Sequence, residues 1–163
     1  MIARVAPDAG LRVVLAARSA ITLAVARWGE GAAMTYCHGD ATLDNLIVAG
    51  DEIGFFDFDL AGWSWRVFGM VSLAGRAMTD PARAGSLWAA YREGYTAVSP
   101  PSEADDRLLP AFVVAHALWG IAHDIRCSAG WFGDWMLPGP DRFQRLARLC
   151  DVAFPGGMAT RHL

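Results

Sequence analysis

Between residues 34 and 59 the chain departs from the helical spacing that governs most of its length. Leu46-Ile47-Val48 and Ile53-Gly54-Phe55-Phe56 are short β-prone runs, and Ala49-Gly50-Asp51-Glu52 between them favours a tight reversal. The pattern predicts a β-hairpin. Ahead of it, Met34, Tyr36, Cys37, His38, Gly39 and Asp40 lead on to Asn45, with polar side chains interrupting short apolar pieces. This stretch reads as a strand or extended entry followed by a loop.

Either side of the hairpin the spacing is helical. Over 11–28, Val14, Ala17, Ile21, Ala24, Val25 and Trp28 recur at intervals of three and four, one buried helical face, and Gly29 and Gly31 end it. After Gly62 the pattern predicts helices over 65–78, 81–98, 103–126 and 141–154, punctuated by Pro100-Pro101, Gly130 and Pro138-Gly139-Pro140. A hydrophobic share of 54% in 163 residues is far from the composition of disorder and suits one packed domain. The expected fold is α+β and mostly helical, with one small hairpin in its first third. Residues 155–163 are expected to form a frayed tail.

Charge and cysteines narrow the partners. The net charge is -3 and the 14 cationic residues, all Arg, are scattered, so no basic field for nucleic acid is expected. The longest apolar runs, 13–17 and 111–115, fall short of the roughly 18 residues of a membrane span, so no membrane partner is expected. Cys37, Cys127 and Cys150 are odd in number and lack CxxC spacing, which predicts free thiols and a cytoplasmic protein.

The hairpin also carries chemistry. A reversal centred on Asp51 sets Asn45 opposite Asp57, and opposed residues have Cα atoms about 4.5–5.5 Å apart. Two oxygen-bearing side chains would then meet where Mg²⁺ could accept them beside phosphate oxygens and water. Asp40, in the loop just before, could approach the same point. A carboxylate beside a cation site is what phosphoryl transfer to a hydroxyl requires: Asp40 orients the acceptor and takes its proton while the metal offsets developing charge. Phe55 and Phe56 are expected to anchor the strand and lower the local dielectric.

His38-Gly39-Asp40-Ala41-Thr42-Leu43-Asp44-Asn45 resembles the H-G-D-x-x-x-x-N catalytic loop of aminoglycoside phosphotransferases, choline kinases and related small-molecule kinases. Gly54-Phe55-Phe56-Asp57-Phe58-Asp59 is similar to their metal-binding segment, and Ala61-Gly62-Trp63-Ser64-Trp65-Arg66 resembles the stress-response and homoserine-kinase-like branch. The resemblance implies a protein-kinase-like C-terminal lobe over 1–154, with a catalytic loop at 36–45, a metal segment at 53–59 and a helical acceptor-binding region at 64–154. It implies Asp40 as catalytic base, His38 as organiser of the catalytic loop, and Asn45 and Asp57 as Mg²⁺ ligands beside ATP. Asp59 would contact a second metal or cap the next turn. The acceptor would be a small-molecule hydroxyl.

Two departures accompany the resemblance. Gly69 stands where family members carry an Asp that fixes the catalytic loop. The nucleotide-binding lobe with its strand lysine has no counterpart, because there is no Lys and only 37 residues precede His38. Little activity is therefore expected of these residues alone, and an exposed face would be covered by a homodimer or a separate N-lobe partner. A non-catalytic, partner-dependent module is the second reading. A metal-dependent phosphohydrolase is the third, on His116, His123 and Asp124, although His116 shares a face with Leu109 and Phe112 and reads as a core histidine. Trp131, Phe132, Trp135 and Met136 would line an acceptor pocket or pack in the core, and Asp124 and Asp134 would bind a cationic acceptor or be surface charge. Asp44, Asp51 and Glu52 read as solvated turn residues.

Overall fold

The computed structural model describes residues 8–129, 133 and 136–156. Among these, helices α1 (Asp8–Trp28), α2 (Val71–Thr79), α3 (Pro81–Val98), α4 (Glu103–Cys127) and α5 (Pro140–Ala153) make the body. The strands β1 (Met34–Cys37), β2 (Leu46–Ala49), β3 (Glu52–Phe55) and β4 (Gly62–Trp65) are short. The fold is thus mostly helical α+β, as expected. The tail beyond Gly156 and the aromatic stretch Trp131, Phe132 and Trp135, with Asp134, lie outside the described residues.

Helix α4 is the centre of the packing. α1, α2, α5 and the 3-10 stretch Arg66–Met70 all rest on it. Ala17, Leu108, Val114 and Leu146 have no exposure and belong to one core cluster. Burying each leucine contributes roughly 1.5–3 kcal/mol. The helix starts are encoded locally. Ser102 and Asp105 form a reciprocal capping box at the head of α4, and Asp80 caps α3 ahead of Pro81, whose missing N–H costs nothing at a first turn.

Two helices, Asp8–Gly31 and Glu103–Cys127, are long and apolar enough to cross a membrane by length and composition. Arg12 and Arg18 break the uninterrupted apolar runs of the first helix but leave most of it apolar. The second helix is α4, whose apolar residues form the core.

β4 corrects the sequence reading, which continued a helix from residue 65. Gly62-Trp63-Ser64-Trp65 pairs antiparallel with β1, Met34 opposite Trp65 and Cys37 opposite Gly62. The predicted helix over 65–78 accordingly begins as 3-10 at Arg66 and becomes α only at Val71. A four-residue strand forms only where a partner supplies its ladder, and β1 is 28 residues upstream.

The base of this ladder is clamped to α4. Arg66, following β4, pairs with Asp105, which is fully buried and accepts also from Ala33 N–H (3.2 Å) and from Ser102 N–H and Oγ (2.8 and 2.9 Å). Burial alone would raise the Asp105 pKa, but the bonds from Arg66, Ser102 and Ala33 outweigh it and hold the carboxyl below its ordinary value. With the bottom of the ladder fixed, the loops leaving its top are fixed side by side.

Candidate active site

The loop after β1 and the segment before β4 leave adjacent strands, Cys37 being paired with Gly62, and they pack backbone to backbone. Gly39 has φ 88, and a Cβ there would fall 2.1 Å from the Leu60 carbonyl oxygen. Only glycine permits this approach. His38 ties the same two segments together. Its Nε2 lies 3.0 Å from the Phe56 carbonyl and its Nδ1 accepts from Asp40 N–H at 3.3 Å. A carbonyl can only accept, so Nε2 carries the proton and both ring nitrogens are engaged within the chain. Phe58 and Phe55 flank the ring at 4.3 and 5.5 Å. The ring therefore ties the two segments together through both of its nitrogens.

The hairpin forms, but one step out of the expected register. Leu46 opposes Phe55 and Ala49 opposes Glu52, so the reversal is the two-residue turn Gly50-Asp51 rather than one centred on Asp51. Gly50, with φ 63, occupies the first turn position, where a type II′ turn requires glycine. Asn45 therefore faces Phe56, whose N–H donates to the Asn45 carbonyl at 3.2 Å, and not Asp57. Asp57 reaches the site by another route. It is the sole non-glycine residue of positive φ (64°) among those described. This left-handed kink, which Asp tolerates better than most residues at a cost of about 1 kcal/mol, takes the chain out of the hairpin. Phe55 and Phe56 are also more exposed than expected, at 46% and 43%. Phe55 contributes by packing at a tilt against the His38 ring, not by burial.

The result is a cavity of about 570 Å³ with Asp40, Asp57, Asp59 and Leu60 on its loop side. Asn45, nearly buried, points its Nδ2 at the Asp40 carbonyl (2.9 Å) and Asp40 Oδ2 (3.0 Å). Its amide nitrogen is thereby committed, which leaves Oδ1 as the free end. An amide oxygen and a carboxylate such as Asp57 are the all-oxygen donor chemistry that suits a hard divalent cation. Among the described residues no three His, Cys, Asp or Glu side chains stand close enough to hold a metal unaided, so such a cation would need oxygens from a bound phosphate or water. Asp44, Asp51 and Glu52 are exposed, as expected.

Residues 4–101 match the model of the phosphotransferase enzyme family. The chain belongs to that family. Its membership accords with the order in which the residues occur: loop, hairpin, kinked acidic segment. An uncharacterised protein of Deinococcus radiodurans is 36% identical over 87 residues, which cover 51% of this chain and 25% of that protein. The chain thus spans about a quarter of the relative it matches. No solved structure matches it.

The helical wall of this cavity is built from residues far along the chain. His116, Gly120 and Asp124 follow one another at four-residue intervals along α4 and all line the cavity, as do Arg142 and Arg145 of α5. His116 is not a core residue. Burial lowers its pKa, while Asp40 raises it and Arg145 lowers it, so it lies within reach of both charges. The eight-residue separation of His116 and Asp124, about two turns along one face of an apolar helix, was the signal available. Gly69, in turn, has open space where a Cβ would stand, and its carbonyl accepts from Tyr91 Oη at 3.2 Å.

Proposed function

We propose that this chain supplies the catalytic and metal-binding lobe of a kinase that transfers the γ-phosphoryl group of ATP to a hydroxyl of a small molecule. The observation that carries the reading is Asp40, oriented by Asn45 Nδ2 at 3.0 Å and sharing a cavity wall with Asp57. Asp40 would accept the proton of the acceptor hydroxyl as its oxygen bonds to the γ-phosphorus and ADP leaves. Asn45 Oδ1 and Asp57, with Asp59 nearby, would hold Mg²⁺, which when bound offsets charge on the phosphoryl oxygens. His38 would keep the catalytic loop and the metal segment in register. The phosphate-reaching lysine of such kinases has no candidate in these 163 residues and would come from outside them.

A partner-dependent module is the second reading, and one observation favours it. Tyr36, Ile47, Val48, Ile53, Phe58 and Trp63 are each more than half exposed on the strands and loops around the site. An apolar surface of this kind calls for a cover, and a second polypeptide or further lobe seated there would complete the nucleotide site.

The test is phosphoryl transfer from ATP in the presence of Mg²⁺, with the 163-residue chain alone and with the flanking coding region restored. Transfer that needs the flanking region and falls at least ~100-fold in Asp40→Asn supports the proposal. Transfer unaffected by that substitution would sink it.

A further inference from the structure

The cavity beside Asp40 carries opposite charges on its two sides. Asp40, Asp57 and Asp59 enter from the loops and Arg142 and Arg145 from α5. Arg142 already has a partner, Asp124 Oδ2 at 3.0 Å. Arg145 makes no ion pair and no side-chain hydrogen bond among the described residues. Its residue is exposed overall, yet partial desolvation of the guanidinium, then Arg142, Arg76 and Arg148 close by, hold its pKa below the usual arginine value. Of these neighbours Arg76 has only the exposed Asp44 at 3.8 Å. Arg145 is thus the cavity-lining arginine without an acidic partner among the described residues, and the ligand that satisfies such a guanidinium is an anion. A guanidinium offers that anion two parallel N–H donors, the geometry of carboxylate and phosphate recognition.

We propose that the acceptor is a small hydroxy compound bearing an anionic group, a carboxylate or a phosphate, whose anion is held by Arg145 while its hydroxyl faces Asp40. The proposal rests on the phosphotransfer reading above and sets the acceptor class for it. His116 lines the same cavity and lies within Coulombic reach of both Asp40 and Arg145. Trp119 supplies an apolar wall beside it. An acceptor of purely cationic character would meet repulsion from Arg145, so the anion requirement also discriminates.

Binding can be read without turnover, by saturation-transfer NMR titration of the 163-residue chain with glycerate, glycerol 3-phosphate and uncharged glycerol. The two anions are expected to bind and glycerol not. Arg145→Ala should weaken anion binding on the order of 10- to 100-fold, and Asp40→Asn should preserve it. If the alanine variant loses its helical circular dichroism, Arg145→Gln, which keeps the methylene stem and a polar end without the charge, replaces it. Which of the two anions binds more tightly distinguishes a hydroxy acid from a hydroxy phosphate. Equal binding of glycerol and glycerate, unchanged binding in Arg145→Ala, or competitive displacement of glycerate by Mg²⁺-ATP would each overturn the proposal. The last outcome would assign Arg145 to the nucleotide. Because Asp40→Asn abolishes only transfer, failure of the kinase reading and failure of the anion site separate cleanly.

Discussion

Asn45 Nδ2 donates to both the backbone carbonyl (2.9 Å) and the carboxylate (3.0 Å) of Asp40, so one amide fixes the position and the orientation of that side chain together. In the assay with the flanking region restored, Asn45→Leu should lower transfer on the order of 10–100-fold, with a raised Mg²⁺ requirement. Asp40→Asn should lower it further while leaving that requirement nearly unchanged. A Mg²⁺ titration of the rate separates the two. Equal Mg²⁺ dependence in Asn45→Leu and the parent would deny Asn45 a part in holding the metal.

Gly39→Ala should be among the most damaging single-methyl additions to this chain. It combines a left-handed backbone with a 2.1 Å contact to the Leu60 carbonyl, and the expected loss is at least ~2 kcal/mol. Gly62→Ala, whose added Cβ meets nothing within 4 Å, is the control and should change stability by less than ~1 kcal/mol. Urea denaturation of the two variants measures the difference.

The Arg66–Asp105 pair should dominate acid sensitivity. The folded-state pKa of Asp105 is depressed, so its contribution is complete above the ordinary value of 3.8 and is lost as pH falls through the lower folded value. Asp105→Ala leaves Arg66 without its buried partner and should cost about 3–5 kcal/mol at neutral pH. Stability measured from pH 7 down to pH 2 should show a steeper acid loss in the parent than in the variant.

His116 gives a second pH signature, at higher pH. Its folded pKa lies below the ordinary 6.5, chiefly through burial, so folding favours the neutral ring. The stabilisation is present above 6.5 and is lost as pH falls from there through the folded value. His116→Gln should flatten the stability profile between pH 7 and 5. A parent and variant with parallel profiles would show that the ring is solvated.

Thiol labelling should be selective. Burial raises the pKa of Cys37 and pushes that of Cys150 to about 11, and both are inaccessible. Cys127, partly exposed at the end of α4 with Sγ 3.5 Å from His123 Nε2, should react first with an aromatic disulfide at pH 8. Three equally fast thiols would mean that the core opens readily.

The sequence alone determined the helices, because periodicity and end signals act within a few residues. The 81–98 helix was read with the bounds it has, between Asp80 with Pro81 and the break before Pro100-Pro101. It also determined the hairpin and the order His38, Asp40, Asn45, Asp57. Tertiary structure decided what depends on a distant partner. β4 exists because β1 completes its ladder, and the two-residue turn set Asn45 against Phe56. Asp57 arrives through a backbone kink that no side-chain pattern announces. His116 and Arg145, from helices far along the chain, join Asp40 only because α4 and α5 pack beneath the loops. Local spacing encodes elements, whereas a cavity is made by the surfaces those elements leave between them, and that requires the packing itself.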